Sequence, residues 1–223
     1  MAHQAAHARN VGMAALWVEP LLEWLSRSGL LGSTTRVLDY GCGYFDVGLR
    51  LSGRVARVDG FDPDPQALAL AHDRIAQAGG LQSSRLVEHV DALDPESYDL
   101  IVVNSVLQYL PDFAAVDAFL AGCARWLPRA AGHVVLSDLI PPDYSAPLDA
   151  VDSLVHATRH GHARAMVAHL WQAATKPSGL ALLHIDPLQL QAAAARHGFV
   201  VQRLPRNLTP SRRRYSVVLS RAE

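Results

Sequence analysis

Short apolar runs separated by stretches of helical periodicity make up most of the chain. The apolar runs predict a first strand around Val37 and Leu38, followed by strands at 55–61, 85–90, 98–104, 133–139, 199–204 and 215–220. Segments with apolar positions at helical spacing lie between most of them, whereas the last two strands have no helix between them. The pattern therefore predicts an α/β fold with a doubly wound sheet of seven mostly parallel strands, closed by an antiparallel C-terminal edge hairpin.

Two segments depart from this alternation. Residues 1–30 precede the first strand, and the helical spacing of apolar positions over 11–29 predicts an N-terminal helical cap. Residues 140–185 hold four prolines, five histidines and two predicted helices, which is typical of a lid or binding element. We expect residues 1–223 to form a single domain that includes both segments.

Composition narrows the partners that this domain could have. The chain has 223 residues, of which 50% are hydrophobic, and its formal net charge is −1, so no strong field favours nucleic acid or a membrane surface. Its two cysteines, Cys42 and Cys123, do not suggest a disulfide framework. The first ten residues lack an apolar core, and no apolar run reaches about 18 residues. We expect a cytoplasmic protein that binds neither nucleic acid nor membrane.

The stretch RVLDYGCGYFDVGLRL, which spans residues 36–51, carries the clearest chemical signal. An apolar strand ends at Asp39, a turn holds Gly41 and Gly43, and a helical pattern follows. Such a turn lets backbone amides approach a nucleotide cofactor. A dinucleotide fingerprint would need a small residue where Asp46 stands, and Asp39 would repel a pyrophosphate. A ligand with an amine or a sulfonium fits these acids better.

Two further acids follow the next strands. Asp62 ends the second strand about twenty residues after the glycines, where a carboxylate can accept both ribose hydroxyls; the alternative is that it only shapes the turn before Pro63. After the third strand, Asp91 can accept from an exocyclic amine of adenine, and the amide of Ala92 can meet a ring nitrogen. Because the fourth strand also ends in polar residues, NSVLQYLP, we expect four sites in one crevice at the carboxyl ends of the strands.

The ordered set VLDYGCG, GFDPD, VDAL and YDLIVVNSVLQYLPD resembles the class I S-adenosylmethionine-dependent methyltransferases, over about residues 35–140. The ending SRRRYSVVLSR is similar to the terminal strand of that family. The resemblance implies a Rossmann-like sheet with strand order 3-2-1-4-5-7-6. It also implies S-adenosylmethionine as cofactor, with S-adenosylhomocysteine as its product, and an acceptor of the small-molecule, natural-product type.

The resemblance implies a set of cofactor-binding residues. Those of the glycine turn would surround the methionine part, those after the second and third strands would hold the adenosine, and those after the fourth strand would lie under the sulfonium. In chain order the set is Asp39, Tyr40, Gly41, Cys42, Gly43, Phe61, Asp62, Pro63, Asp91, Ala92, Asn104 and Ser105. Many family members have a third glycine where this chain has Phe45, so we expect a narrower pocket near the carboxylate of the cofactor.

The acceptor side is predicted less sharply, because methyl transfer from a sulfonium needs alignment more than a fixed catalytic group. Tyr109 follows the fourth strand and could orient or deprotonate an acceptor, although it could equally pack between a helix and the lid. The further candidates for contact with the acceptor are Trp17, Gln108, Asp138 and Tyr144. Transfer to an oxygen or nitrogen of a small molecule is the function that this arrangement favours.

Other interpretations stay open. A fold relative could bind the cofactor and catalyse another reaction, and a non-catalytic subunit could bind it within a methyltransferase complex. The histidines of residues 140–185 could include a general base, whereas a metal site is not expected from their spacing. Arg212, Arg213 and Arg214 could meet an anionic substrate or form the solvated start of the last strand.

Overall fold

A seven-stranded mixed sheet forms the centre of the molecule. The computed structural model describes residues 17–81, 84–175 and 181–222. The strands are ordered β3-β2-β1-β4-β5-β7-β6, as predicted, with β1 to β5 parallel and β7 antiparallel to both of its neighbours. Their bounds are β1 Arg36–Tyr40, β2 Arg57–Phe61, β3 Leu86–Val87, β4 Leu100–Asn104, β5 His133–Leu139, β6 Phe199–Arg203 and β7 Tyr215–Arg221.

Helices cover both faces of this sheet. In chain order they are α1 at 17–27, α2 Asp46–Leu51, α3 Pro65–Gln77, α4 Phe113–Trp126, α5 Ala146–Arg159, α6 Ala163–Thr175 and α7 Pro187–Arg196. None of the helices in the described ranges combines the length and apolar character needed to cross a membrane.

Three of these helices begin at side-chain caps. The carboxylates of Asp64, Asp112 and Asp186 accept hydrogen bonds from backbone N–H groups of the first turns of α3, α4 and α7, at 2.8–3.0 Å. Such bonds satisfy amides that have no partner inside the helix. These caps therefore fix where each helix leaves the carboxyl edge of the sheet.

The core lies in two layers because neighbouring strand residues point to opposite faces. Leu38 packs on one face with the apolar sides of α4 and α7, whereas Val37 packs on the other face with those of α1, α2 and α3. Both side chains are fully buried. Burial on both faces explains why β1 and β4 read as continuous apolar runs in the sequence.

The third strand is shorter than the sequence predicted. Residues 85–90 were expected to be extended, but only Leu86–Val87 pair with β2, and a short 3₁₀ turn follows at Val90–Ala92. The strand lies at the sheet edge, and Glu88 and His89 beyond it are exposed. With no further strand to pair with, the chain turns as soon as its buried residue, Val87, is in place.

Of the two segments outside the alternation, the described part of the first packs on one face of the sheet, and the second follows the carboxyl end of β5. Residues 1–16 of the expected N-terminal cap are outside the described residues, while α1 buries Leu21 and Leu25 completely. Within 140–185, α5 and α6 pack on one another and expose apolar side chains such as Val151 and Val167. We call residues 140–185 the lid segment; its function as a lid stays a prediction.

Candidate functional site

The sheet has a topological switch point between β1 and β4. The chain runs from β1 outward to β2 and β3 on one side, and then returns to β4 on the other side. Ligands of open α/β sheets bind in the crevice outside the carboxyl ends of the strands at such a point. Asp39, Asp62 and Asn104 stand at or just after the carboxyl ends of β1, β2 and β4, which brings the cofactor-binding candidates of the sequence to one edge.

The glycine turn after β1 has a backbone shape that favours glycine. Gly41 and Gly43 have φ values of 74° and 50°, in the left-handed region. A Cβ added at Gly41 would lie 2.3 Å from Cγ2 of Val106, whereas one at Gly43 would meet nothing within 4 Å. The first glycine therefore allows the turn to approach the loop after β4, and the second leaves open space beside the backbone for a ligand.

Asp39 lies beneath this turn with only 3% of its surface exposed. Its carboxylate accepts a hydrogen bond from the amide of Gly48 at 3.3 Å, at the start of α2. Burial raises the pKa of Asp39 to about 7, an effect that the bond from Gly48 opposes and that the charges of Asp46 and Asp62 reinforce. The carboxylate retains unused acceptor positions, so a cation in the crevice would stabilise its ionised form.

Asp62 connects β2 to the glycine turn. Its Oδ2 accepts from the amide of Gly43 at 2.8 Å, and its Oδ1 accepts from the amide of Asp64 at 3.0 Å. The side chain thus shapes the turn, as the alternative interpretation held. Each carboxylate oxygen can accept a second hydrogen bond, so the same group can also receive the two ribose hydroxyls, which stays a prediction.

Phe45 stands where the resemblance has a third glycine, and its ring turns into the core. The residue takes the left-handed conformation, with a φ of 61°, as the glycine of other family members can do at lower cost. Its ring is fully buried. Cβ atoms added at Gly48 and Gly60 would lie 2.1 and 2.8 Å from ring atoms of Phe45. The ring therefore occupies core space that these two glycines leave free.

The aromatic and sulfur side chains predicted around the cofactor are mostly buried. The ring centroids of Tyr40 and Phe61 lie 4.7 Å apart, and Tyr40 also packs on Phe119 at 4.9 Å. Cys42 is buried, and burial raises the pKa of its thiol. Pro63 is exposed. The amide of Cys42 donates to the carbonyl oxygen of Phe61 at 2.9 Å, which holds the glycine turn against β2.

The adenine candidates lie in the short turn after β3. Asp91 and Ala92 are both exposed at this edge of the sheet. The amide of Ala92 donates to the carbonyl oxygen of His89 at 3.0 Å. If this amide bonded to a ring nitrogen of adenine, it would have to share or replace the hydrogen bond to His89. The carboxylate of Asp91 makes no such hydrogen bond within its own turn.

The end of β4 is held by β5. The side-chain oxygen of Asn104 accepts from the hydroxyl of Ser137 at 2.5 Å. Ser105 follows with a φ of 59°, which is strained for a residue with a side chain. Its hydroxyl donates to Asp138 at 2.7 Å, and its amide donates to the carbonyl oxygen of Ser137 at 3.2 Å. The backbone that would lie under the sulfonium is therefore fixed by the neighbouring strand.

Asp138 holds two loops together, and its contact with the acceptor stays a prediction. It was expected to line the acceptor pocket, but it is only 6% exposed, and its φ of 69° is again in the left-handed region. Four donors bind its carboxylate: Ser105 and Thr209 through hydroxyls, Asn207 through its amide, and Arg214 through its guanidinium. These donors use its acceptor positions, so Asp138 ties the loop after β4 to the loop before β7.

The same network extends to the lid segment. Arg214 lies 2.7 Å from Asp138 and 3.2 Å from Asp149 of α5, and its guanidinium stacks 5.3 Å from the ring centre of Tyr144. The hydroxyl of Tyr144 donates to Asp149 at 2.8 Å, and Ser211 donates to the same carboxylate. Burial raises the pKa of Tyr144. Tyr144, a predicted acceptor contact, therefore also docks α5.

Sequence reasoning missed Asp149, Asn207, Thr209 and Ser211 as members of this network. Arg214 was noted only as part of a run of three arginines. The run itself was the one available signal, since its partner Asp149 lies 65 positions away in the sequence. Pairings over such separations leave no local pattern.

The remaining acceptor candidates differ in exposure. Tyr109 is 63% exposed at the rim after β4, while Gln108 beside it is 1% exposed. The side-chain oxygen of Gln108 has no hydrogen-bond partner among the described residues. The backbone carbonyl of Gln108 accepts from Leu183 at 2.8 Å, which joins this loop to the end of the lid segment. Trp17 is partly buried at the start of α1.

Two of the five histidines of the lid segment form a stacked pair. His156 and His160 have ring centroids 4.2 Å apart, and burial together with the neighbouring His160 lowers the pKa of His156. Within the part of the chain that the structure describes, no three histidine, cysteine or acidic side chains are grouped so as to hold a metal ion. The side chain of His169 lies outside that part.

Comparisons with known proteins agree with this geometry. Residues 38–132 match the model of a methyltransferase domain family. The ubiquinone biosynthesis O-methyltransferase of Thiobacillus denitrificans is 33% identical over 126 residues, which make up 55% of this chain and 52% of that protein. The chain thus spans about half the length of this curated relative.

Solved structures show the same fold. The magnesium protoporphyrin IX methyltransferase of Synechocystis PCC 6803 with bound S-adenosylhomocysteine superposes with a TM-score of 0.62, at 20% identity, over 92% of this chain and 82% of that one. A chain from the complex of the Haloferax volcanii Trm112 methyltransferase activator with a methyltransferase superposes with a TM-score of 0.66, at 16% identity. The match covers 98% of this chain and 96% of that one.

Residues 38–132 thus match a methyltransferase domain, and the strand order and the crevice at the switch point have the fold of these solved structures. The sequence resemblance implies S-adenosylmethionine as the cofactor. The site fits that cofactor on its own geometry, since Gly43 leaves open space beside a buried acid that favours a nearby cation.

Proposed function

We propose that this chain transfers a methyl group from S-adenosylmethionine to an oxygen or nitrogen of a small-molecule acceptor. The observation that carries the proposal is the meeting of Asp39, the open glycine turn and Asp62 at the β1–β4 switch point. The match of residues 38–132 to a methyltransferase domain supports it. An oxygen acceptor has a precedent in the name of the Thiobacillus relative, an O-methyltransferase.

Each part of the crevice has a task in this proposal. Asp39 and the amides around Gly43 would hold the amino-acid part of the cofactor, and Asp62 the ribose. Asp91 and Ala92 would meet the adenine, flanked by Phe61 and Pro63. The backbone oxygens at the end of β4 would face the sulfur; the residues there are Asn104 and Ser105.

The cofactor supplies a methyl group on a positively charged sulfur. When the acceptor oxygen or nitrogen bonds to this methyl group, the bond between methyl and sulfur breaks, and the acceptor gives up its proton. The protein then has to align the acceptor and exclude water. Tyr109, at the exposed rim after β4, would orient the acceptor or take its proton. Gln108 offers a buried oxygen without a partner among the described residues, which suits a hydroxyl or amine donor.

A small acceptor is favoured over a nucleic acid by the overall charge of −1 and by the lid segment beside the crevice. The described lid helices α5 and α6 follow β5, where they can cover an acceptor that sits next to the methyl group. A cytoplasmic location remains a prediction from the sequence.

The test is an assay of the purified protein with methyl-labelled S-adenosylmethionine and a panel of phenols, carboxylic acids and amines. Label in an acceptor supports methyl transfer. An acceptor that is converted without label would instead support a fold relative with another reaction. Cofactor binding with no turnover of any acceptor, restored by a protein partner, would support a subunit of a larger enzyme.

Tyr109 is tested with two substitutions. Tyr109→Phe keeps the ring and removes only the hydroxyl, whereas Tyr109→Leu removes both. If the hydroxyl orients the acceptor or takes its proton, Tyr109→Phe lowers kcat by about ten- to a hundredfold and leaves the affinity for S-adenosylhomocysteine unchanged. Equal rates for wild type and Tyr109→Phe, with a loss only in Tyr109→Leu, would reduce Tyr109 to a packing residue.

A further inference from the structure

Arginines are concentrated where β6 ends and β7 begins. Five of the 20 basic residues of the chain lie within positions 203–214, although the whole chain carries a net charge of only −1. Leu139 at the end of β5 pairs with Tyr215 at the start of β7. The loop therefore lies at the carboxyl edge of the sheet, the same edge as the cofactor crevice, on the side of β5.

Two of the five arginines are neutralised by carboxylates. Arg213 pairs with Asp152 at 3.0 Å, and Arg214 pairs with both Asp138 and Asp149. Arg203, Arg206 and Arg212 form no ion pair with any of the residues that the structure describes. Arg203 instead lies over the ring of Tyr215, 5.0 Å from its centre.

A cavity of about 680 Å³ opens between these side chains. Its charged lining consists of Arg203, Arg206, Arg212 and Arg214, and no described aspartate or glutamate lines it. A second cavity of about 520 Å³ shares Arg203, Arg212 and Arg214. The larger cavity thus has a cationic wall and a volume suited to a small molecule.

The polar side chains at this cavity differ in whether their donors have acceptors. The hydroxyls of Thr209 and Ser211 are already used by Asp138 and Asp149. The Nε–H of Arg214, in contrast, is buried without an acceptor among the described residues. A guanidinium presents paired N–H donors whose spacing matches two oxygens of a phosphate or carboxylate. An oxyanion in the cavity would therefore neutralise Arg203, Arg206 and Arg212, which have no carboxylate partner among the described residues.

We propose that this cavity, the arginine cavity, binds an oxyanion carried by the acceptor: a phosphate monoester or a carboxylate. The identification of the bound molecule as the acceptor rests on the proposed methyl transfer. Arg214 forms part of the wall and bonds to Asp138, which in turn bonds to Ser105 beside the expected position of the sulfur. The site for the anion and the site for the methyl group thus share one rigid network.

The experiment is a calorimetric titration of the protein with phenyl phosphate, benzoate and neutral benzyl alcohol, each in the presence and absence of saturating S-adenosylhomocysteine. The variant Arg206→Gln/Arg212→Gln removes two unpaired charges from the exposed rim of the cavity. Arg54→Gln removes an exposed arginine ahead of β2, at the opposite edge of the sheet, and is the matched control. Thermal melting of each variant checks that it folds.

We expect phenyl phosphate or benzoate to bind the wild type, with benzyl alcohol at least about tenfold weaker. The double variant should lose at least about tenfold in affinity for the anion, while Arg54→Gln binds as the wild type does. Which anion binds more tightly assigns the class of acceptor. Binding that is equal in the wild type and the double variant, or the absence of binding by both anions, would overturn the proposal.

The two proposals can fail separately. Anion binding without S-adenosylhomocysteine binding would retain the arginine cavity and refute the methyltransferase function. S-adenosylhomocysteine binding with no anion binding would leave the methyltransferase function intact and refute the arginine cavity.

Discussion

At the scale of single residues, two carboxylates of the crevice differ in their surroundings. Asp39 is buried with a single long hydrogen bond from Gly48, whereas Asp62 is partly exposed and holds two backbone amides. Burial without strong donors destabilises the ionised form of a carboxylate, and amide donors stabilise it. Asp39 is therefore the group whose charge changes near neutral pH, because its pKa is raised to about 7.

Asp62 is tested by Asp62→Asn, with Asp64→Asn as a neighbouring control that removes the same charge and keeps a capping residue at the start of α3. Loss of charge-assisted bonds to the ribose should weaken S-adenosylhomocysteine binding by about ten- to a hundredfold, and Asp64→Asn should leave it unchanged. Calorimetry measures both. An unaltered affinity in Asp62→Asn would limit this residue to shaping the turn.

Asp39 makes the stability of the cofactor-free protein depend on pH. Its pKa is raised from 3.8 to about 7 by burial, so the folded state holds this proton more tightly than the unfolded state. The resulting stabilisation is complete below about pH 4 and is lost as the pH rises through about 7. Relative to the wild type, Asp39→Asn should gain in free energy of unfolding as the pH rises from about 4 to about 7. Urea unfolding at several pH values tests this; parallel pH profiles would contradict it.

The sequence could predict these acids and glycines because they belong to one short local pattern. It could not predict that the ring of Phe45 turns into the core, because the space for it comes from Gly60 on another strand. The hydrogen-bond partners of Asp138 could not be predicted for a similar reason. Its partners Asn207, Thr209 and Arg214 follow about seventy residues later in the chain.

At the scale of elements, the start of α2 depends on a large residue and a small residue that pack against each other. Phe45 holds a strained backbone conformation, and Gly48, one turn later, leaves room for its ring. An added methyl group at residue 48 would collide with that ring, and overpacking of this kind costs about 1–3 kcal/mol. Gly48→Ala should therefore lower the free energy of unfolding by that amount.

A double-mutant cycle isolates this pair. Phe45→Gly removes the ring and restores the glycine of other family members, at the cost of lost core packing. In that background Gly48→Ala should cost less than about 0.5 kcal/mol, because the colliding atoms are gone. Denaturant unfolding of the four proteins gives the coupling. Additive effects would show that the ring does not limit residue 48.

The lid helix α5 is docked by one buried carboxylate. Asp149 receives hydrogen bonds from Tyr144, Ser211 and Arg214 and is 6% exposed. Asp149→Asn removes its charge and should speed amide hydrogen exchange throughout α5, since a buried partner of a guanidinium is lost. Asp152→Asn, which breaks the more exposed pair with Arg213, is the control and should have a much smaller effect. Equal exchange in both variants would mean that α5 is held by its apolar contacts alone.

Elements with strong local signals were predictable, and edge elements were not. The helices α3, α4 and α7 begin directly after Asp64, Asp112 and Asp186, and a capping aspartate is a local signal that the sequence shows. The third strand was predicted too long. Its sequence favours an extended conformation, but a strand at a sheet edge ends where its partner strand ends. Pairing in the sheet, rather than residue preference, decided its length.

At the scale of the molecule, the strand order places the candidate cofactor site and the arginine cavity on two sides of the sheet. The side of β1 and β2 carries the glycine turn and the acids that suit a cofactor, and the side of β5, β7 and β6 carries the arginine cavity and the lid segment. The order itself was predictable from the resemblance of the motifs. The arrangement of the second side was not, because it is assembled from loops that are distant in sequence.

The central claim is that the crevice at the switch point binds S-adenosylmethionine rather than a dinucleotide. Calorimetric titration of the purified chain with S-adenosylhomocysteine and, separately, with NAD tests it most directly. We predict saturable binding of one S-adenosylhomocysteine per chain and no binding of NAD. Saturable binding of NAD with no binding of S-adenosylhomocysteine would contradict the account.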